Sequence, residues 1–209
     1  MNLLIIGATR GIGLQLLEQA LQAGHDVTAL VRDPRKMPKP HERLKLIQGD
    51  IVDLEAVNRA MAGQEAVCVT IGIGVTWKPV TVFSQGTQNV LEAMRRQGVR
   101  RLICITGIGA GDSKGHGGFL YYRLFNPLLL KTIYADKDRQ EALIRNSETE
   151  WTIIRPGFLT NGPLTKKYRA ITDLSGVTAG KISRADVAHF ILAELATNRY
   201  LGQTPLLTY

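Results

Sequence analysis

The sequence predicts an α/β protein, a doubly wound parallel sheet in a single domain over residues 1–209. Three observations carry that expectation. The chain opens on a short apolar run, Leu3-Leu4-Ile5-Ile6, then a glycine turn, Gly7-Ala8-Thr9-Arg10-Gly11-Ile12-Gly13, then Leu14, Leu17, Ala20 and Leu21 at helical spacing. Short apolar runs go on alternating with amphipathic stretches along the chain, the pattern of βα units feeding one parallel sheet. Finally, 209 residues suffice for one full α/β core but not for two ordinary ones, and no linker, repeat or low-complexity segment divides them.

Each glycine of the first turn has a physical task. Gly7 permits the tight turn, Gly11 lets backbone N–H groups approach a pyrophosphate, and Gly13 allows the helix to pack closely on the strand. The anion then lies at the positive end of the helix. This is the first half of a dinucleotide-binding unit; a plain glycine turn is the alternative. After Gly24, residues 26–31 form the second strand, and Arg32 stands at its end, where the adenosine ribose lies in such units. An acid there suits a free 2′-hydroxyl, whereas the planar fork of an arginine suits a 2′-phosphate. Arg10 falls near the same phosphate, so the expected cofactor is NADP(H) rather than NAD. For Arg35 a solvated turn is as good an account.

Residues 44–48 read as the third strand, followed by Gly49-Asp50-Ile51. Asp53 caps a helix that runs to about Met61 and stops at Gly63. The fourth strand covers 65–71, and Ile71 and Gly72 fall at its carboxyl end, where strand order reverses and doubly wound sheets bind ligands. Trp77, in the loop beyond, is either a pocket wall or packed on the surface. A long helix over 80–98 precedes a fifth strand over 99–106. Residues 108–126 hold five glycines and then Phe119-Leu120-Tyr121-Tyr122, the composition of a mobile lid over a flat substrate. A surface excursion packed by its own aromatics is the alternative. Next come a helix over 133–146, a sixth strand over 150–157, a pocket floor over 158–163 and a covering segment over 166–181. Ser183 and Asp186 read as a capping box, and residues 206–209 as an edge strand. The substrate side is expected at about 107–126 and 156–182.

Composition bounds the partners. Hydrophobic residues at 44% and charged residues at 21% are the proportions of a globular protein in water. No apolar stretch is long enough to span a bilayer, and the first strand begins without a cleavable leader, so a cytoplasmic protein with no membrane partner is expected. Cys68 and Cys104 fall in strands and His25, His41, His116 and His189 are scattered, which points to reduced core thiols and no metal site. A net charge of +8 raises the question of nucleic acid, but the basic residues form no single stripe and lack interleaved aromatics. Positive charge of this kind suits anionic small molecules instead.

The spacing G-x-x-x-G-x-G is similar to that of the short-chain dehydrogenase/reductase superfamily. Later motifs resemble its atypical NAD(P)H-binding members, the biliverdin reductase B/flavin reductase group and the NmrA-like regulators. The resemblance implies a Rossmann-type fold and contacts to the cofactor from Gly7, Thr9, Arg10, Gly11, Ile12, Gly13 and Arg32. Gly49-Asp50-Ile51 resembles a G-D-[VI] turn, which implies Asp50 and the Ile51 amide at the adenine, with Ile71 and Gly72 along the nicotinamide ribose. Gly86-Thr87-Gln88-Asn89-Val90 resembles a central helix often found at a dimer seam, so a monomer or homodimer is implied. Thr106 stands where the superfamily carries a pair of hydroxyls that bind a substrate carbonyl, and Gly107 replaces the second. The superfamily's Tyr-x-x-x-Lys is absent. Tyr134 stands only three residues before Lys137, and Lys137 with Glu141 resembles the K-x-x-x-E of atypical members, in which the lysine meets the nicotinamide ribose. Tyr134 either donates a proton or packs against the lid. Residues 152–157 resemble T-I-[VI]-R-P-G, which implies Pro156, Gly157 and Phe158 beside the carboxamide and substrate, and residues 182–188 resemble [IV]-S-R-x-D-V-A.

Lys137, Thr106 and Tyr134 are therefore the expected catalytic residues. The expected activity is NADPH-dependent hydride transfer to a planar acceptor, a flavin, a quinone or a tetrapyrrole, which needs positioning more than a strong acid. The alternative is a non-catalytic NADP(H) sensor of the NmrA-like type.

Overall fold

The structure, a computed structural model, describes residues 1–37, 40–116 and 130–209. Its first unit follows the apolar pattern closely. Strand β1 (Asn2–Ile6) leads through the glycine turn into helix α1 (Gly11–Gln22) and then strand β2 (Asp26–Val31). Strand β3 (Leu44–Gln48), helix α2 (Leu54–Met61), strand β4 (Ala66–Val69), helix α3 (Val82–Gln97) and strand β5 (Arg101–Ile105) continue the alternation. Helix α4 (Lys131–Arg145) and strand β6 (Glu150–Pro156) follow. The last part holds β7 (Phe158–Thr160), β8 (Arg169–Ile171), β9 (Lys181–Ser183), helix α5 (Arg184–Thr197) and β10 (Leu206–Thr208).

Eight strands make one sheet in the order β3-β2-β1-β4-β5-β6-β10-β8. Every pairing in it is parallel except that of β10 with β8. The order runs outward in both directions from β1 and β4, so the carboxyl ends of those two strands open a crevice. Alternate side chains of β1 face opposite ways. Leu3 and Ile5 pack with Leu16, Leu17, Val187 and Phe190 of α1 and α5, while Leu4 and Ile6 pack with Val57, Val90 and Ile144 of α2, α3 and α4. Burial on both faces explains why the strands read as continuous apolar runs.

Caps set where helices begin. Asp53 Oδ1 accepts from the amides of Glu55 at 3.0 Å and Ala56 at 3.2 Å, as expected of an N-cap. The long helix α3 is capped from outside: buried Asp136 on α4 accepts from the amides of Phe83 at 2.9 Å and Ser84 at 3.3 Å, and from the Ser84 hydroxyl. Gly98, in the left-handed region at φ 71°, ends that helix.

Three expectations need correction. Residues 206–209 are not an edge strand, because β10 lies between β6 and β8 and β8 is the edge. Asp186 does not complete a capping box by reaching back to the Ser183 amide, which donates to Tyr209 Oη at 3.0 Å. Ser183 does cap α5, accepting from the Asp186 amide at 3.0 Å, but the Asp186 carboxylate accepts from the amides of Thr165 and Lys166 and from Tyr209 Oη. It thus ties the covering segment to α5. Third, the expected lid is held down over its described part. Ile108, Ala110 and Ser113 are buried, and the Gly111 amide donates to Asp138 of α4 at 2.8 Å. Gly117, Gly118 and the aromatic cluster 119–122 lie outside the described residues.

Cys68 and Cys104 are fully buried, and burial pushes both thiols up to about 12, so neither is a reactive thiolate. Among the described residues no helix is long and apolar enough to cross a membrane, and no group of three His, Cys, Asp or Glu is placed to hold a metal.

Candidate active site

A cleft of about 830 Å³ runs across the carboxyl ends of the strands. It gathers the expected site residues from seven separate segments. Gly7, Thr9, Arg10, Gly11 and Ile12 line it from the first turn, and Arg32, Asp50 and Ile51 from the ends of β2 and β3. Ile71 and Gly72 line it beyond β4, Thr106 beyond β5, Tyr134 and Lys137 on α4, and Pro156, Gly157 and Phe158 where β6 passes into β7. Gly13 alone of the expected set lies behind the wall, fully consistent with a packing role.

The turn at one end fits a pyrophosphate. Gly7 has φ +99°, and a methyl group there would lie 2.9 Å from the Ile71 backbone nitrogen. A methyl on Gly13 would overlap the Gly7 carbonyl oxygen and the Thr70 hydroxyl. Both positions therefore bring backbone together more closely than any other residue allows, which leaves room at the N-terminus of α1 for phosphate oxygens. Arg10 stands at the N-cap of that helix and its guanidinium donates to the Gly72 carbonyl oxygen at 3.5 Å.

Arg32, the residue expected to meet a 2′-phosphate, lines the cleft. Its side chain is 82% exposed at the cleft edge, with Asp50 Oδ2 at 4.0 Å as a loose counter-ion. Arg35 is not so placed: Nε and Nη2 grip the two carboxylate oxygens of Asp33 at 2.9 and 3.1 Å, which makes it part of an exposed turn. Ile51 is buried against Gly86, and Asn89 donates to its carbonyl oxygen at 3.0 Å, fixing the turn after β3.

At the opposite end Lys137 is 8% exposed, with Nζ 4.4 Å from the centre of the Phe83 ring. Among the described residues no hydrogen bond holds the ammonium. Burial lowers its pKa to about 8, against the opposing pull of Cys104, Glu141 and Asp136. The Tyr134 hydroxyl lies beside Gly107, where a methyl group would come within 3.5 Å of it. Tyr134 and Lys137, three residues apart, share a helix face toward the cleft.

Thr106 departs from its expected role. Its hydroxyl donates to Glu141 Oε1 at 2.7 Å, and a hydroxyl has a single proton, so none remains for a substrate carbonyl. Glu141 is itself held by fully buried Arg155, Nε to Oε1 at 3.0 Å and Nη2 to Oε2 at 2.5 Å. Arg155 also binds Asp112 in the segment after β5. This network fastens α4, β6 and that segment around Lys137. Trp77 stands 70% exposed and off the cleft wall.

Sequence reasoning missed Phe83, the Arg155–Glu141 pair and Arg184, whereas Asn161 falls in the expected pocket floor. Asn161 and Arg184 also line the cleft. A signal for Arg184 did exist: an arginine at the first position of a helix opposes the dipole and needs another reason to be there.

Comparison with known proteins agrees with this geometry. A family model described as NAD(P)H-binding matches residues 7–198. An uncharacterized chloroplastic protein of Arabidopsis thaliana is 29% identical over 77% of this chain, which spans 60% of that relative's length. Among solved structures, the anaerobilin reductase ChuY of Escherichia coli O157:H7 superposes with a TM-score of 0.86 at 23% identity, covering 100% of this chain and 97% of that one. A wide-type short-chain dehydrogenase/reductase of Veillonella parvula, solved in complex with NADP, superposes at 0.83 with 20% identity, covering 100% and 94%. The matched span takes in every residue of the glycine turn and of the α4 face: the chain belongs to the NAD(P)H-binding family.

Proposed function

We propose that the protein is an NADPH-dependent oxidoreductase that passes a hydride to a planar acceptor of the flavin, quinone or tetrapyrrole kind. The observation that carries this reading is buried Lys137, set in the cleft wall beside Phe83 with no tyrosine in the superfamily's general-acid register. NADPH, when bound, supplies the hydride. The glycine turn would seat its pyrophosphate, Arg32 its 2′-phosphate, and Lys137 its nicotinamide ribose. The Lys137 ammonium has protons to donate to ribose hydroxyls, and the Thr106–Glu141–Arg155 network keeps its helix in place. Phe158, Leu159 and Ile73 supply exposed apolar surface at the mouth, which suits a flat, poorly hydrated acceptor. ChuY, an anaerobilin reductase, supports such an acceptor. We place the protein in the cytoplasm, as a monomer or homodimer, with its substrate side formed by segments near 107–116 and 156–182.

The sensor reading has one observation in its favour, the commitment of the Thr106 proton to Glu141, which removes a donor from the substrate end. Steady-state NADPH oxidation against flavins, quinones, tetrapyrroles and carbonyls separates the two. The reductase reading expects turnover with a planar acceptor, a fall in kcat for Lys137→Ala with a cofactor affinity loss of about 1–2 kcal/mol, and little effect of Tyr134→Phe on flavin or quinone. A tetrapyrrole or carbonyl reduction that draws on the phenol would slow about 100-fold in Tyr134→Phe. No oxidation of NADPH by any acceptor hands the case to the sensor.

A further inference from the structure

Arg184 is the first residue of α5, and its side chain runs along the glycine turn. A methyl group on Gly11 would lie 3.8 Å from Arg184 Nε and 3.9 Å from Cδ. Nη1 donates to Asn161 Oδ1 at 2.7 Å, so among the described residues its polar partner is a neutral amide rather than a carboxylate. The side chain is half-buried and lines the cleft together with Asn161. At this turn the structure thus concentrates positive charge: the N-terminus of α1, Arg10 and Arg184, with the N-terminus of α5 behind it. Such an arrangement repels itself until an anion joins it.

We propose that Arg184 is a second guanidinium clamp on the cofactor's pyrophosphate, presented by Asn161 from beyond β7. The glycine turn offers backbone N–H groups to one side of the anion, and Arg184 closes on it with charge-assisted hydrogen bonds. Because Asn161 follows β7 on the substrate side, the clamp also links cofactor seating to the segment that borders the acceptor. The proposal concerns binding and not turnover, so it stands or falls separately from the identity of the acceptor. It rests on the cleft's being the cofactor site.

The test is calorimetric titration of the whole protein with three ligands. NADPH and 2′-phospho-ADP-ribose both carry the pyrophosphate, whereas adenosine 2′-monophosphate has the adenine and 2′-phosphate without it. Arg184→Gln should weaken the first two by about tenfold or more, the scale of a lost charge-assisted hydrogen bond, and leave the third within about twofold. The dependence of NADPH affinity on salt should become shallower as well. Asn161→Ala, a change at an exposed position, should weaken NADPH about threefold and spare adenosine 2′-monophosphate. This variant carries the test if Arg184→Gln fails to fold. Equal losses for all three ligands, or no loss for NADPH in either variant, overturn the proposal. So does an unchanged NADPH affinity with a raised KM for a carboxylate-bearing acceptor, which would assign Arg184 to the acceptor's anion instead.

Discussion

Replacing Lys137 with methionine should make the empty protein more stable while making it a poorer binder. The side chains are similar in length, and methionine keeps contact with the Phe83 face. What changes is a buried charge. The Lys137 pKa falls from 10.5 to about 8 on folding, chiefly by desolvation. At about 1.4 kcal/mol per unit this shift corresponds to roughly 3 kcal/mol against the folded state wherever both states are protonated. At pH 7 both are, so Lys137→Met should gain on the order of 3 kcal/mol. Between pH 8 and 10.5 the folded lysine has lost its proton and the unfolded one has not. The unfolded chain then binds more protons, so the unaltered protein is stabilised as pH rises. By pH 9.5 the advantage of the variant should shrink to about 1 kcal/mol. Urea unfolding of both proteins at pH 7 and 9.5 measures this, and subtracting one from the other cancels all other titrating groups. A variant less stable at pH 7, or an advantage that does not change with pH, would refute the reasoning. NADPH titration of the same variant should show the opposite sign, a loss of about 1–2 kcal/mol.

Other outcomes follow from the same contacts. Arg32→Ala should erase an NADPH-over-NADH preference of about tenfold, ~1.4 kcal/mol, measured by competitive titration. Gly13→Ala, which forces a methyl against the Gly7 carbonyl oxygen, should abolish NADPH binding and lower the melting temperature. Asp136→Asn removes the charged cap shared by Phe83, Ser84 and Arg139 and should cost about 2 kcal/mol in urea unfolding. Burial raises the Asp186 pKa, but hydrogen bonds from Tyr209, Lys166 and Thr165 outweigh it and hold the carboxyl below its ordinary value. Its contribution is present above the unfolded carboxylate range and is lost as pH falls through the lowered folded value. Asp186→Asn should therefore flatten the acid limb of stability against pH below about 4.

What could be read in advance was whatever the chain states locally. Leu3 to Ile6, Gly7 and Gly13 announce a buried strand and a close approach, because apolar continuity and the absence of a side chain are properties of single residues. Asp53 is a cap for its own helix and was legible for that reason. Asp136 caps a helix more than fifty residues earlier, and nothing near it in sequence says so. The proton of Thr106 is likewise claimed by Glu141 on another element, so a hydroxyl that looks available in the sequence is already used. A short strand between 166 and 181 was legible, but nothing in Arg169-Ala170-Ile171 says that it pairs antiparallel with β10. Pairing partners at long range are decided by the assembled core, not by local propensity.

The interior place of β10 has a consequence for how the cleft comes into being during synthesis. Leu207 accepts from the Gly157 amide at 2.9 Å, and Pro205 accepts from the Arg155 amide at 3.0 Å. The wall that holds Pro156 and Gly157 is therefore braced by residues translated some fifty positions later. A nascent chain displays the complete glycine turn early but lacks this brace until β10 has left the ribosome. Competence to hold the dinucleotide should then arrive abruptly with β10, and NADPH would act as a ligand that stabilises only chains in which that strand is docked.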